Sequence, residues 1–336
     1  MSVSFQYLER CSAETGFQVD PLEKVVRLGE LAANVARHPF LSKVLALKGG
    51  TLLNLCFGPP RRLSVDLDFN YIGHIEREKM LDDRPRVEAA VAELAQRGGY
   101  RLQLSANAFA GRKFYLLYQS VLGQEDRVEV DLNFLFRLPF AGTKMRILWQ
   151  PGDLDRPQVG SVGDTELLVG KLLALLDRGA ARDVWDVANL PEVAVEVLKS
   201  SRFRVHFIAL VAILNHPLPT YTRDRLKHLV SDRAVVEHVA PLLNAIPPPR
   251  AQDLVEQAWA ILEPLLSLEE HEEAYLAAIN EGELRPELIF PKDSEEASRL
   301  AQHPAILWKV ANVRAHLARK GRKIKRGLPP NQTAES

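Results

Sequence analysis

The hydrophobic pattern divides the chain into a part with strands and a part made of helices. Up to residue 157, helical stretches alternate with short runs in which every second residue is apolar, as in β-strands. From Asp164 onward apolar residues recur at the three- and four-residue spacing of amphipathic helices. The order β, α, β, α, β, β, β predicts a mixed sheet flanked by helices. We therefore expect an α/β (α+β) fold followed by a helical part.

The predicted strands and their connections give approximate domain limits. Two apolar runs precede a charged helical stretch at 76–97, which Pro85 should restart and Gly98-Gly99 should end. Three strand candidates follow, at residues 101–105, 113–119 and 127–134. Prolines and glycines make residues 139–157 loop-rich. The prediction is a first domain at 1–157, a helical domain at 158–328 and a frayed tail at 329–336.

Charge and cysteine content indicate the cellular compartment of the protein but say little about its function. Lys plus Arg and Asp plus Glu number 43 each, so any nucleic-acid surface has to be a local patch. Cys11 and Cys56 form neither a disulfide framework nor a zinc site, and they favour a reducing cytoplasm. Residues 1–17 lack a signal-peptide core, and the apolar run at 207–214 is too short to cross a bilayer. We expect a cytoplasmic protein without a membrane partner.

Candidate chemistry begins at the turn Lys48-Gly49-Gly50-Thr51. An apolar run at 44–47 precedes it, and leucines suited to a buried helix follow, so the glycines fall at a strand-to-helix turn. Backbone amides at such a helix start can bind an anion. The Thr51 hydroxyl can touch phosphate or simply cap the helix. The turn therefore predicts a phosphate site.

A pair of carboxylates follows on the next strand. Apolar residues alternate there with Asp66, Asp68 and Asn70, so both carboxylates point to the same side of the sheet. Two carboxylates on one face repel each other unless a cation lies between them, and hard oxygen ligands of this kind suit Mg²⁺. The strand therefore predicts a metal site beside the phosphate turn.

A third carboxylate lies on the strand candidate at 127–134. Glu129, Asp131 and Asn133 share its polar face, and pairing beside the Asp66–Asp68 strand would let Asp131 join the metal site. An ordinary half-exposed strand explains the same pattern. Asp153-Leu154-Asp155 repeats the Asp-x-Asp spacing between Gly152 and Pro157, and we interpret it as a solvated loop.

These motifs resemble a known group of enzymes. Gly-Gly-Thr, a short spacer and Asp-x-Asp resemble the signature of the DNA polymerase β nucleotidyltransferase superfamily. Lys48-Gly49-Gly50-Thr51 followed by Arg62-Leu63-Ser64-Val65-Asp66-Leu67-Asp68-Phe69 closely resembles the AbiEii/AbiGii toxin family, to which MenT-like toxins are related. The resemblance implies a polymerase-β-like domain with a helical C-terminal domain. It also implies the toxic half of a bacterial toxin–antitoxin or phage-defence system, with Asp131 as the third acidic residue.

A second block of the chain extends the resemblance. Lys171 lies in a leucine-rich helix, and Arg182, Asp183 and Asp186 follow it, as in the family's second motif. The resemblance implies that Lys171 contacts the triphosphate and that the later residues shape the far wall of the nucleotide cleft. A helix ion pair between Arg182 and Asp186, with Lys171 extending along leucines, explains the same residues without a ligand.

Two further groups of residues are candidates for ligand contacts. Arg62 precedes the metal strand and can meet phosphate, although arginines are also common beside turns such as Pro59-Pro60; Ser64 can brace the carboxylates. The C-terminal segment accumulates positive charge without an acidic residue and can bind phosphate backbones, although basic tails also serve solubility. Its basic residues are Arg314, Arg319, Lys320, Arg322, Lys323, Lys325 and Arg326.

The combined hypothesis is a nucleotidyltransferase that moves a nucleoside monophosphate from an NTP to an acceptor hydroxyl. Asp66, Asp68 and Asp131 would hold two Mg²⁺ ions, with Lys171 completing the catalytic set. The nucleotide would bind at Lys48, Gly49, Gly50, Thr51, Arg62, Ser64, Lys171 and Asp186. Family analogy implies the tRNA 3′ end as acceptor and an antitoxin encoded nearby, with direct contact left open. Transfer of NMP or phosphate to a protein, and a non-catalytic nucleotide-binding regulator, are the alternatives.

Overall fold

The computed structural model describes residues 3–106, 108–244, 247–292 and 294–326, with side chains described up to residue 319. The predicted tail at 329–336 therefore lies outside the described residues. The strands are β1 Leu45–Lys48, β2 Asp66–Tyr71, β3 Arg101–Leu104, β4 Gly111–Gln119, β5 Glu125–Asn133, β6 Thr143–Ile147 and β7 Gln158–Val162. The helices are α1 Phe5–Thr15, α2 Val19–Arg37, α3 Leu41–Val44, α4 Gly49–Leu55, α5 Arg77–Arg97, α6 Asp164–Arg178, α7 Ala181–Ala188, α8 Glu192–Leu198, α9 Ser201–Val211, α10 Arg223–Leu229, α11 Asp232–His238, α12 Ala251–Leu266, α13 Glu270–Asn280, α14 Glu295–Gln302 and α15 Pro304–Arg326.

The strands form one mixed sheet in the order β3-β4-β5-β2-β1-β7-β6. The central strand β2 runs antiparallel to β1 and parallel to β5, and β1 runs parallel to β7. Apolar side chains on alternate positions of β2, β4 and β5 are buried. Helix α2 buries its apolar stripe against β2, β5 and β7, and this packing covers one face of the sheet. The predicted mixed sheet with flanking helices is confirmed.

The three strand candidates after α5 are confirmed as β3, β4 and β5. The predicted restart at Pro85 is wrong, because α5 runs unbroken from Arg77 to Arg97. Met80 and Val87 are buried on either side of the proline, and Arg84 donates to the carbonyl oxygens of Ala108 and Phe109 at 3.0 Å each. Tertiary contacts on both sides of Pro85 thus offset the backbone hydrogen bond that a proline removes.

The strands β6 and β7 were not predicted from the sequence. Met145 and Ile147 of the edge strand β6 are 59% and 57% exposed, and β7 contains Gly160 and Ser161, so neither strand shows a buried apolar alternation of full length. The boundary predicted at residue 157 falls directly before β7, which pairs with β1 in the sheet. The division into two domains stays a prediction.

From α6 onward the described chain is helical, as the spacing predicts. Helix α6 ends where Gly179 adopts the left-handed conformation with φ 56°, in agreement with the predicted terminator. Helices α6 and α7 contact each other and also contact α4, which begins at the glycine turn. This packing places the helical part against the ends of β1 and β2. Within the described residues, no helix is long and apolar enough to cross a membrane.

Candidate active site

A cleft opens between the centre of the sheet and the helices that follow it. Its cavity has a volume of about 510 Å³. Of the residues predicted as site residues, it is lined by Lys48, Gly49, Gly50, Asp68, Asp131 and Lys171. The other predicted site residues are not part of this lining: Asp66 is half-buried, and Thr51, Arg62, Ser64 and Asp186 are buried. The structure therefore brings the two sequence motifs together across one cavity.

One wall of the cleft is a row of side chains across three strands. In the register of the sheet, Lys48 of β1 lies opposite Asp68 of β2, and Asp68 lies beside Asp131 of β5. Because neighbours in register point to the same face, a cation and two carboxylates meet at this wall. Burial raises the pKa of Asp68, the carboxylates of Asp66 and Asp131 raise it further, and Lys48 opposes the effect. Burial also raises the pKa of Asp131. The wall thus carries negative charge that its own residues do not fully balance.

Gly49 allows this close approach between the turn and the strand. Its φ of 75° lies in the left-handed region, and a Cβ at this position would meet Oδ2 of Asp68 at 2.2 Å. A side chain at Gly49 would therefore push the carboxylate away from the turn. The prediction of a strand-to-helix turn at these glycines is confirmed, since β1 ends at Lys48 and α4 begins at Gly49.

Two hydroxyl groups beside the wall hold β2 in place. The Thr51 hydroxyl donates to the backbone carbonyl of Asp66, and Thr51 is fully buried. The Ser64 hydroxyl donates to Oδ1 of Asp66 at 3.1 Å. Both hydroxyl groups are therefore engaged with β2, and they fix the carboxylate of Asp66 relative to the glycine turn.

The opposite wall is a buried network of charged side chains centred on Asp186. Oδ1 of Asp186 accepts from Nε of Arg62 at 3.0 Å, from Nη2 of Arg62 at 2.8 Å and from Nδ2 of Asn54 at 3.0 Å. Its Oδ2 accepts from Nζ of Lys171 at 2.7 Å. Burial would raise the pKa of Asp186, but Arg62 and Lys171 lower it overall. The alternative of an ion pair between Arg182 and Asp186 is wrong, because Asp186 pairs with Arg62 and Lys171.

Arg178 is a cleft residue that the sequence argument did not assign. Its Nε and Nη2 donate to the two carboxylate oxygens of the buried Asp183 at 2.6 and 2.9 Å. The Arg178 side chain is nevertheless 65% exposed, and it lines the cavity. The bond to Asp183 raises the pKa of Arg178, and the charges of Asp68 and Asp66 add to this. Arg178 is thus a cation held in the cleft, whereas Arg182 is exposed outside the cavity lining.

Two asparagines continue the sheet wall. Asn70 lies beside Asn133 in register, two residues beyond the carboxylate pair, and both line the cleft. Oδ1 of Asn70 is buried without a hydrogen-bond partner among the described residues. A buried acceptor without a partner is unusual, so this atom fits a donor brought by a ligand. The alternation in β2 already indicated that Asn70 shares the face of Asp68.

The far end of the cleft is apolar and comes from distant parts of the chain. Leu210, Ile213 and Leu214 line it from α9 and the turn that follows, and Trp308 lines it from α15. No local pattern in the sequence connects these residues with the glycine turn. The cleft therefore combines a charged end suited to phosphates with an apolar end suited to a planar base.

Glu166 lies at the floor of the cleft beneath a buried aromatic cluster. Its carboxylate accepts from the backbone N–H of Phe140 at 2.9 Å, and burial raises the pKa of Glu166 to about 7. Phe140 stacks on His303 with ring centroids 5.1 Å apart and contacts His206 at 5.3 Å. Burial lowers the pKa of His206 to about 4 and that of His303 to about 3. These groups form a neutral core next to the charged cleft.

The donor set at the sheet wall fits a divalent cation. Asp68 and Asp131 present hard carboxylate oxygens on one face, and the raised pKa of each indicates that a positive charge would stabilise them. Across the described ranges, no group of three or more His, Cys, Asp and Glu side chains is arranged to hold a metal. Mg²⁺ usually takes only one or two protein carboxylates and completes its shell with water and substrate phosphates.

Comparison with known proteins identifies the fold. The fold is similar to that of MenT4, the nucleotidyltransferase toxin Rv2826c from Mycobacterium tuberculosis H37Rv, with a TM-score of 0.61 and 18% sequence identity over 89% of this chain and 99% of that chain. No curated protein sequence matches the chain. At this level of identity the similarity shows the fold, which is that of a nucleotidyltransferase toxin.

The family follows from the sequence match. Residues 31–260 match the family model described as nucleotidyl transferase AbiEii toxin of type IV toxin–antitoxin systems, and this stretch contains both walls of the cleft. The chain belongs to this family. It is therefore a nucleotidyltransferase toxin with an NTP substrate, and its system includes an antitoxin. The resemblance drawn from the sequence is confirmed.

Proposed function

We propose that this toxin transfers a nucleoside monophosphate from an NTP to a hydroxyl at the 3′ end of tRNA, with Mg²⁺ as cofactor. The observation that carries the proposal is the row of Lys48, Asp68 and Asp131, which faces Lys171 and Arg178 across one cavity. Carboxylates opposite cations, beside a glycine turn, match the needs of phosphoryl transfer, which depends mainly on positioning and on balancing charge.

The charged end of the cleft would bind the triphosphate. Lys48 and the turn at Gly49 and Gly50 bound it on one side, and Arg178 offers exposed N–H donors on the other. Arginine suits this role because its planar guanidinium can donate two parallel hydrogen bonds to phosphate. The base would then lie against the apolar end of the cavity near Leu214. In this orientation the α-phosphate would lie near the carboxylate pair.

The metal would be held by Asp66, Asp68 and Asp131, and we expect two Mg²⁺ ions. Mg²⁺ bound there would supply charge stabilisation for the triphosphate and polarise the attacking hydroxyl. In the transfer, the acceptor oxygen bonds to the α-phosphorus, the bond to the bridging oxygen of the β-phosphate breaks, and pyrophosphate leaves. Asp131 would accept the hydroxyl proton, and the pKa of this carboxyl, which burial raises, is in line with that role.

Lys171 and Asp186 have different roles in this proposal. The Lys171 ammonium bonds to Asp186 at 2.7 Å and lies 3.4 Å from Asp183, yet Lys171 also lines the cavity. Burial alone would lower the pKa of Lys171, but the two carboxylates raise it overall and keep the amine charged. Lys171 would balance charge on the triphosphate, while Asp186, together with Arg62, fixes the position of that lysine.

The acceptor and the place of action follow from the same chemistry. A tRNA 3′ end offers free hydroxyl groups, and blocking it would stop its aminoacylation, which suits a toxin. Both tRNA and NTPs are found in the cytoplasm, so we place the activity there. The antitoxin belongs to the same toxin–antitoxin system.

The test is incubation of the purified protein with each α-labelled NTP, Mg²⁺ and total tRNA. We expect label on tRNA for at least one NTP, and loss of label with a chelator. Asp68→Asn should lower the rate by about 10³-fold, since metal-assisted charge stabilisation contributes several kcal/mol. It should not lower stability, because the neutral amide removes a partly buried charge that repels Asp131.

The matched control is Asp153→Asn, in the second Asp-x-Asp of the chain. Asp153 is exposed in a loop and accepts from the Tyr7 hydroxyl at 2.7 Å, so this variant should transfer label at the parental rate. Label on protein instead of RNA would move the acceptor to a polypeptide. Nucleotide binding without transfer to any acceptor would favour a regulator, and parental activity in Asp68→Asn would refute the proposed metal site.

A further inference from the structure

A surface groove adjoins the cleft on the side of α15. Its cavity has a volume of about 510 Å³, and Ile75, Arg77, Phe109, Leu307 and Trp308 contribute to its walls. We call this surface the Phe109–Trp308 groove. Trp308 also lines the cleft, so one indole ring borders both cavities. The groove and the cleft therefore share a wall residue and lie next to each other.

The segment after β5 also joins the two cavities. Leu135 and Arg137 line the groove, whereas Phe136 between them lines the cleft. The segment is held in place, because Asn133 Oδ1 accepts from the backbone N–H groups of Leu135 at 2.9 Å and Phe136 at 3.0 Å. A chain lying in the groove would thus pass a fixed edge before it reaches the carboxylates.

Large apolar side chains are exposed in this groove. Phe109, Leu307 and Trp308 are 46%, 45% and 44% exposed. The guanidinium of Arg77 lies over the Phe109 ring, with its Cζ 5.3 Å from the ring centroid. Exposed aromatic rings combined with arginine are the usual platform for stacking unpaired bases, since every base has a π-face. The composition of the groove therefore favours a single-stranded nucleic acid over an apolar partner.

The charge of α15 also favours a nucleic acid as the partner. Its first turns border the groove, and its sequence from residue 304 to 326 contains eight Lys and Arg residues and no Asp or Glu, in a chain whose formal net charge is zero. A helix of 23 residues extends for about 34 Å. At the groove itself, Glu76 pairs with Lys79 at 3.0 Å, and Glu78 lies 3.8 Å from Arg77, so local acidic charge is offset. A polyanion is thus the partner that this side attracts.

We infer that the Phe109–Trp308 groove binds the unpaired 3′-terminal nucleotides of the acceptor RNA. Bases stack on Phe109 and Trp308, Arg77 lies beside them, and the terminal hydroxyl reaches the carboxylates of Asp68 and Asp131. That RNA is the acceptor rests on the proposed function. The binding of single-stranded RNA in the groove rests on the exposed rings, the shared Trp308 wall and the charge of α15.

The experiment measures RNA binding and NTP binding separately on the full-length protein. The RNA probe is a fluorescein-labelled single strand of about six nucleotides, followed by anisotropy; NTP binding is followed by equilibrium dialysis. Phe109→Ala should weaken RNA binding about five- to a hundred-fold, the usual contribution of one stacked base. NTP affinity should not change, because Phe109 does not line the cleft. With tRNA as acceptor, KM should rise by the same factor while kcat holds.

Two further variants separate stacking from general effects. Phe109→Tyr keeps the ring and should retain RNA binding. Phe5→Ala removes another exposed phenylalanine, 37% exposed on α1, and should behave like the parent. Arg77→Ala should weaken RNA binding by a smaller factor than Phe109→Ala, and it also serves as the test if Phe109→Ala fails to fold.

The outcomes distinguish this inference from the proposed function. If Phe109→Ala and Arg77→Ala bind RNA with parental affinity, the inference that RNA binds in the groove is wrong. Equal affinity for single-stranded and double-stranded probes would also contradict it. Absence of RNA binding by the parental protein would also overturn the inference, whichever acceptor is labelled. If no acceptor is labelled but RNA binding still depends on Phe109, the proposed reaction is wrong and RNA binding in the groove is supported.

Discussion

The two walls of the cleft differ in how their carboxylate charges are balanced. On the sheet wall, Asp68 and Asp131 lie side by side, and burial and mutual repulsion raise the pKa of Asp68. On the helical wall, Asp186 is fully buried, but Arg62 and Lys171 lower its pKa. One wall is therefore incomplete without a cation, whereas the other is neutralised by its own residues.

This difference assigns separate tasks to the walls. A buried ion-pair network holds its members in one arrangement, and removing one member leaves the others uncompensated. The helical wall thus gives Lys171 a fixed position from which it can act on a ligand. The sheet wall keeps its carboxylates available for a metal and a substrate. Substitutions on the sheet wall should affect activity more than stability, and buried substitutions on the helical wall should do the reverse.

Asp186→Ala tests this contrast most strongly. It leaves Arg62, only 2% exposed, and Lys171, 7% exposed, as buried charges without their main partner. We expect a loss of about 3–5 kcal/mol in the free energy of unfolding. Denaturant titration measures it, with Asp68→Asn as the comparison that should show no loss. Equal unfolding midpoints for the two variants would refute the division of tasks.

Glu166→Gln tests the burial of Glu166 through the pH dependence of the free energy of unfolding. The folded-state pKa of Glu166 is about 7, above the ordinary value of 4.5, so folding favours its protonated form. This contribution is complete below about pH 4.5 and is lost as the pH rises through 7, which corresponds to about 3 kcal/mol. The glutamine variant, which keeps an acceptor for Phe140, should gain this amount relative to the parent between pH 4.5 and 8.

Chemical denaturation at several pH values checks the Glu166 prediction. His206 and His303 have lowered pKa values and destabilise the fold as the pH falls below 6.5, but both proteins contain them, so their effect cancels in the difference. A stability difference between parent and Glu166→Gln that does not change with pH would contradict the prediction.

Arg178→Ala is expected to lower stability less than Asp186→Ala does. Arg178 is 65% exposed, and Asp183 keeps a contact of 3.4 Å with Lys171 when the arginine is removed. Loss of a charged donor to phosphate should raise KM for the NTP about tenfold. Arg182→Ala, four residues further along the chain and outside the cavity lining, is the matched control. If both variants change KM equally, Arg178 does not contact the nucleotide.

Local sequence patterns were sufficient for much of the fold. The alternation that defines β2 and β5 follows from which side chains a half-buried strand can hide, and it is visible over six to nine residues. The same alternation placed Asp66, Asp68 and Asn70 on one face. It failed for β6 and β7, because an exposed edge strand and a strand with Gly160 have no such pattern. It also failed at Pro85, where contacts with distant residues keep the helix intact.

The chain itself determined the glycine turn, the carboxylate strand and the helical second part, because each depends on the steric and hydrophobic preferences of neighbouring residues. Tertiary structure decided which charges meet. Arg62 and Asp186 are 124 residues apart, and only tertiary packing makes them a pair. It also decided that Trp308 borders the cleft and that Arg178 enters it. Partners of charged side chains depend on distances between elements, and no local preference encodes those distances.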